Sequence, residues 1–357
     1  MSGTSLDGID VAVVEVAGQR VETIGFVSKP YTGRVRAAIL AVSDSPCTTA
    51  AISRLNFQLA ELYAGAVADA VRRFGPIELI GCHGQTIYHE GRSNTMQIGE
   101  PAILAERAGV PVVADFRARD IAAGGQGAPL VPFVDYLLFR HRTRRRIALN
   151  IGGIANITVI PPSAAAQDIV AFDTGPGNMA IDALAKEYSK GKLTCDRGGK
   201  IARSGAVNRG LLAELLADPY YRRKPPKSAG REQYGERFVA RMKKSGAPLR
   251  DLITTATVLT AVTIAAGVNQ GVGVGTDQAS DLIVSGGGVH NPQIMAHLAA
   301  FLPNARISTS TDHGVDADAK EAIAFAVLAY QTWRRKPGNL PSATGARHSV
   351  ILGSITP

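Results

Sequence analysis

Phe172-Asp173-Thr174-Gly175-Pro176-Gly177-Asn178 sets a lone carboxylate where a strand gives way to a helix. A β-rich run, 168–172, leads in, and an amphipathic run, 179–190, leads out. Pro176 is tolerated near a first helical turn, where its missing N–H would have no partner. Gly175 and Gly177 let another molecule approach the backbone. In open α/β sheets, ligands gather just beyond the carboxyl ends of strands. Asp173 is therefore placed either for chemistry or as the N-cap of the following helix.

Outward from that stretch the pattern repeats. Strands are predicted over 9–16 and 21–27, joined at Gly18 as a hairpin. Helices follow over 34–42 and 48–74, the second with Leu55, Leu59 and Leu62 as a buried stripe. Short strands at 77–80 and 111–114 end in Gly81-Cys82-His83-Gly84-Gln85-Thr86 and in a long polar loop from Asp115 through Gly124-Gly125-Gln126-Gly127. Long loops in compact domains are often functional. From 146 a second unit begins with two strands around Gly152-Gly153, echoing the β-hairpin opening of the first. Helices are predicted over 177–190, 201–216, 232–244, 252–268 and 291–301. Strands over 281–284 and 306–308 and a last helix over 317–333 complete it. Two α/β domains are expected, 1–138 and 139–335, with a tail over 336–357 returning toward the first.

The 357 residues carry a formal charge of +9 and 45% hydrophobic side chains. That suffices for a sizeable core, and a basic surface steers anionic ligands. The basic clusters at 141–146 and 222–227 lack a nucleic-acid module around them, so no nucleic-acid partner is expected. No apolar run of membrane-spanning length and no secretory leader is read. Cys47, Cys82 and Cys195 form no CxxC pair, which suits a reducing cytoplasm.

Walker, dinucleotide, HExxH, GxSxG and protein-kinase motifs are all missing. A nucleotide would need another cradle. Gly3-Thr4-Ser5-Leu6-Asp7-Gly8 offers backbone N–H groups and hydroxyls for phosphate oxygens, or is only a polar turn. Asp7 or Asp10 could hold a hydrated Mg²⁺. Gly286-Gly287-Gly288 leaves room for a flat adenine or ribose, or makes a tight turn. Arg119, beside the loop containing Gly125, could pair with a carboxylate. Glu321 is a first-turn dipole partner or a ligand for a substrate hydroxyl. His83 reads as structural or substrate-contacting rather than as a proton carrier.

These loops converge on a small-molecule kinase of the actin and hexokinase fold class. Met1-Ser2-Gly3-Thr4-Ser5-Leu6-Asp7-Gly8-Ile9-Asp10, Cys82-His83-Gly84-Gln85-Thr86, Gly124 to Pro132, Asn150-Ile151-Gly152-Gly153, the Asp173 stretch and Pro226-Lys227-Ser228-Ala229-Gly230-Arg231-Glu232 closely resemble the 1,6-anhydro-N-acetylmuramic acid kinases. The match runs essentially the length of the chain. The resemblance implies a two-domain, actin-like (ribonuclease H-like) α/β fold with an interdomain cleft. It implies ATP with Mg²⁺, an anhydro-amino-sugar substrate of peptidoglycan recycling, and a possible homodimer. Asp173 matches the family's catalytic base. Gly3 to Asp10 match its ATP segment, with Gly286, Gly287 and Gly288 as further nucleotide contacts. Thr86, Arg119, Gly125 and Glu321 are the expected sugar contacts. The family also carries a β-strand before the segment matching Met1, so a gap in the first sheet and a misassigned start codon are expected.

Overall fold

In the computed structural model, which describes residues 1–3, 8–18, 20–43, 46–272 and 280–357, the strands fall into four sheets. In chain order they are β1 (Gly8–Ala17), β2 (Arg20–Pro30), β3 (Ile80–Gly81), β4 (Gln85–Glu90), β5 (Asn94–Ile98) and β6 (Val112–Ala114). Then come β7 (Arg145–Ile151), β8 (Ile154–Ile160), β9 (Val170–Pro176), β10 (Ser280–Ser285), β11 (Arg306–Thr309) and β12 (Ser354–Thr356). The chain divides into one unit of Met1–Leu138 with Gly314–Pro357 and another of Phe139–His313.

In the first unit β1 and β2 form the expected antiparallel hairpin, with Gly18 at φ 65° in its turn. β3 pairs parallel with β6, and β12 pairs antiparallel with the other side of β6. A second hairpin, β4–β5, escaped the sequence reading. The helix Thr49–Phe74 buries Leu55 and Leu59, but Leu62 is 37% exposed. The stripe continues through Tyr63, which keeps the four-residue step from Leu59. A cavity of about 950 Å³ is lined by residues of β1, by Ile80 and Gly81 of β3, and by Ala322, Ala326 and Ala329.

The last long helix, Lys320–Trp333, belongs to this first unit rather than to the second domain assigned from sequence. It packs against β1, β3 and β6. Its first residue, Lys320, also bonds Asp135 at 2.9 Å, both side chains being 3% exposed.

The second unit is one mixed sheet in the order β11-β10-β7-β8-β9. β10 runs parallel to β7 and β11, while β8 is antiparallel to β7 and β9. The carboxyl ends of β7, β9 and β10 therefore share one edge. The helix Leu249–Val272 is buried on nearly every side. Its threonines bear burial because Thr254, Thr255 and Thr257 donate to carbonyls four residues earlier. Among the described residues it alone is long and apolar enough to cross a membrane, and 83% of that window is buried in the protein.

Two stretches read as single helices are broken. Lys200–Ser204 and Arg209–Leu216 are separated at Gly205, where a Cβ would meet Arg250 and Thr254, and Asn208 caps the second helix. Arg231–Tyr234 and Glu236–Lys243 part at Gly235.

Candidate active site

Asp173 lies mid-strand in β9, at the sheet's edge. Asn156 pairs with Asp173 and Ala155 with Gly175, which leaves Thr174 as the extra residue of a bulge. Bulges re-aim side chains beside sites. The strand runs on through Pro176, so the N-cap position of the next helix, Met179–Tyr188, falls to Asn178. The capping alternative for Asp173 is thereby removed.

Its half-buried carboxylate accepts one bond through Oδ2, from the Ala229 N–H at 2.8 Å. Among the described residues Oδ1 accepts none. Burial pushes the carboxyl up to about 6, the Ala229 N–H pulls it down, and Glu232 pushes it further up.

The loops after β7 and β9 are knitted together. Gly177 N–H donates to Gly153 O at 2.9 Å, Asn178 N–H to Gly152 O at 2.8 Å, and Asn178 Nδ2 to Ile151 O at 3.1 Å. A Cβ on Gly177 would lie 2.3 Å from Gly152 O, so this close approach requires glycine. The glycines after β10 have a related reason. A Cβ on Gly286 would meet Asn150 and Ile151, and one on Gly288 would meet the Ile151 side chain. Only Gly287 is open, with Asn178 Nδ2 3.8 Å away.

In the first unit, Thr4, Ser5, Leu6 and Asp7 lie outside the described residues. Gly8 is fixed by β2, since a Cβ would fall 2.2 Å from Lys29 O. Ile9 is 5% exposed and belongs to the apolar core. Asp10 and Glu321 repel one another: burial raises the Glu321 carboxyl most, Lys320 and Arg117 lower it, and Asp10 raises it.

Arg119, the arginine named from sequence, is exposed, whereas Arg117 is half-buried. It donates to Gly127 O at 2.8 Å and to His83 Nε2 at 3.1 and 2.8 Å. Burial brings its pKa down to about 10, against Glu321 and Asp120. His83 Nδ1 donates to Gly84 O at 2.7 Å, so both ring nitrogens are committed. Burial and Arg117 hold the ring well below the usual histidine range. A ring held neutral with both nitrogens bonded suits a structural or substrate-contacting group rather than a proton carrier.

Gly125 answers to Asp120, whose Oδ2 would lie 2.2 Å from a Cβ there. Asp120 is fully buried and accepts from Gly127 N, Asn339 Nδ2 and Thr344 Oγ1 at 2.7–2.8 Å. Thr86 Oγ1 accepts from Gln97 Nε2 at 3.3 Å, while Gln97 Oε1 is buried without a partner. Gln97 lines a cavity of about 460 Å³ with His83, Asn56 and Asp115. Neither Gln97 nor Arg117 was picked from sequence. The only signal was their place near motif residues, Gln97 in the alternating run of β5 and Arg117 beside the apolar Phe116.

The chain is matched over residues 1–357 by a family model described as anhydro-N-acetylmuramic acid kinase. It is 42% identical to an anhydro-N-acetylmuramic acid kinase of Caldanaerobacter subterraneus subsp. tengcongensis, over 100% of this chain and 95% of that one. It is 41% identical to an anhydro-N-acetylmuramic acid kinase of Bacillus cereus (strain G9842), over 100% of this chain and 97% of that one. Among solved structures, a ROK family glucokinase from Streptomyces griseus covers 90% of this chain at 13% identity and a TM-score of 0.37.

Proposed function

The chain belongs to the anhydro-N-acetylmuramic acid kinase family, and from that premise we propose that it phosphorylates 1,6-anhydro-N-acetylmuramic acid with ATP while water opens the 1,6-bridge. The observation that carries this reading is Asp173: a carboxylate raised to about 6, with Oδ2 held by Ala229 and Oδ1 left to accept a proton. Water attacks the anomeric carbon as Asp173 takes its proton. The bond from that carbon to O6 breaks, and O6 forms its bond to the γ-phosphorus as ADP leaves. N-acetylmuramic acid 6-phosphate and ADP result. Phosphoryl transfer otherwise asks mainly for positioning and charge stabilisation.

Gly3 to Asp7, with Asp10, and the open Gly287 are the positions we assign to ATP; Gly8 and Ile9 are spent on β2 and the apolar core, and Gly286 and Gly288 on shaping their turn. Mg²⁺ would neutralise phosphate charge. Asp10 is the carboxylate we assign to it, while Glu321 is kept for a substrate hydroxyl. The buried, unpaired Gln97 Oε1 suits an N–H donor such as the sugar's acetamido group, with Thr86 holding Gln97 in place. Arg119, exposed on its short helix, is free to reach a lactyl carboxylate. Use of ATP and three free cysteines both fit a cytoplasmic setting.

The test is turnover in ¹⁸O-labelled water, with the product read by mass spectrometry against an open-sugar control for slow anomeric exchange. Label should enter the anomeric hydroxyl and not the phosphate. Product without anomeric label above the control would overturn the bridge-opening reaction.

The pH profile follows from the same carboxylate. The base works ionised, so kcat at saturating substrates should fall with unit slope as pH drops through about 6. Full activity maintained down to pH ~4.5 would mean that an ordinary carboxylate, not this one, takes the proton.

A further inference from the structure

Asp173 sits on an edge strand, registered with Asn156 of β8, and its backbone N–H and C=O face the strand's open side. Both of its groups are nevertheless taken, by one irregular segment. Tyr220 OH donates to Asp173 O at 2.7 Å, and Asp173 N–H donates to Lys227 O at 3.1 Å. Ala229, two residues on, supplies the bond to Oδ2. Three contacts from residues 220–229 thus fix both the main chain and the side chain of the base.

Lys227 closes the segment on itself. Its Nζ donates to Tyr220 O at 3.4 Å, Tyr221 O at 3.3 Å and Gln270 Oε1 at 3.0 Å. The ammonium also faces the rings of Tyr220 and Phe172, 5.1 and 5.5 Å from their centroids. Gln270 in turn donates to Arg223 O at 2.7 Å, which ties the segment to the long buried helix. A lysine that takes three acceptors and two ring faces is not a solvated surface charge.

We propose that Lys227, with Gln270 and Tyr220, is a positioning group that docks residues 220–229 on β9 so that Ala229 occupies Oδ2 and only Oδ1 of Asp173 can meet the reacting water. This rests on the reading of Asp173 as the base. Lys227 touches no reacting atom; it acts through the segment that it closes. Misplacing a catalytic group by about 1 Å costs on the order of 10²-fold.

The experiment measures kcat, both KM values and the melting temperature for Lys227→Met and Gln270→Ala, with amide exchange across 220–229. Lys227→Met should lower kcat by about 10²-fold with both KM values within about threefold, and exchange should quicken in the segment. Gln270→Ala should move the same way by less. The double variant should lose less than the product of the two single losses, because the two share one contact. Wild-type kcat in both single variants, with Asp173→Asn inactive, would overturn the positioning role while the base reading stood. Wild-type turnover in Asp173→Asn would overturn the base reading and this proposal with it. Should Lys227→Met fail to fold, Gln270→Ala alone decides, a kcat loss at unchanged KM supporting the proposal and wild-type kcat ending it.

Discussion

Asp173→Asn should fold, bind ATP as before and lose turnover by about 10²–10⁴-fold, the contribution of a positioned base. The amide keeps the size of the carboxylate, and its oxygen can still accept from Ala229 N–H, so the geometry of β9 is retained. What disappears is a group that takes a proton from water. A stability measurement separates this from damage to the fold. The carboxyl is raised in the folded state from 3.8 to about 6, so protonation favours folding. That contribution is fully present below the unfolded value and is lost as pH rises through about 6, by roughly 3 kcal/mol at most. Asparagine stays neutral throughout. The melting temperature of the variant should therefore match or exceed wild type at pH 8, with a gap that narrows toward pH 4. Near-wild-type turnover would remove Asp173 from the mechanism, and a sharply lowered melting temperature at pH 8 would recast it as structural.

Lys320→Met should destabilise the protein by about 3–5 kcal/mol, the effect of stranding one member of a buried ion pair. Lys320 and Asp135 meet at 2.9 Å with side chains only 3% exposed. Methionine fills the space but removes the cation that the buried Asp135 carboxylate meets at 2.9 Å. Adding Asp135→Leu should recover most of the loss, since an apolar pair of similar volume is often neutral or better. The single tryptophan, Trp333, closes the same helix and is 49% exposed, so its fluorescence reports that helix in urea. A shift below about 1 kcal/mol, the scale of an exposed pair, would show that the pair is solvated in practice.

Much of this was legible beforehand. Strand-loop-helix order, the glycine loops at strand ends and the long threonine-rich helix all follow from period and punctuation, which are local properties. What escaped depends on neighbours remote in sequence. Gly125, Gly286 and Gly288 were readable as glycine requirements, but a linear reading cannot name the approaching group. That group is Asp120 in one case and Asn150 and Ile151 in the others. Arg117 was passed over because the loop has no period to read. Asp115 adopts φ 56° there, which resets the direction of the side chains that follow. The final helix was assigned to the wrong unit because adjacency in sequence is the only guide to domain membership when a chain crosses back.

That crossing back bears on the order of assembly during synthesis. β6 acquires its antiparallel neighbour only from Ser354–Thr356, and Asp120 acquires two of its three donors only from Asn339 and Thr344. The second unit, unbroken from Phe139 to His313, can close while those residues are still inside the ribosome. The portion translated first is thus finished last, and a nascent chain stalled short of residue 339 would present a completed back half joined to a front half with its glycine loop unanchored.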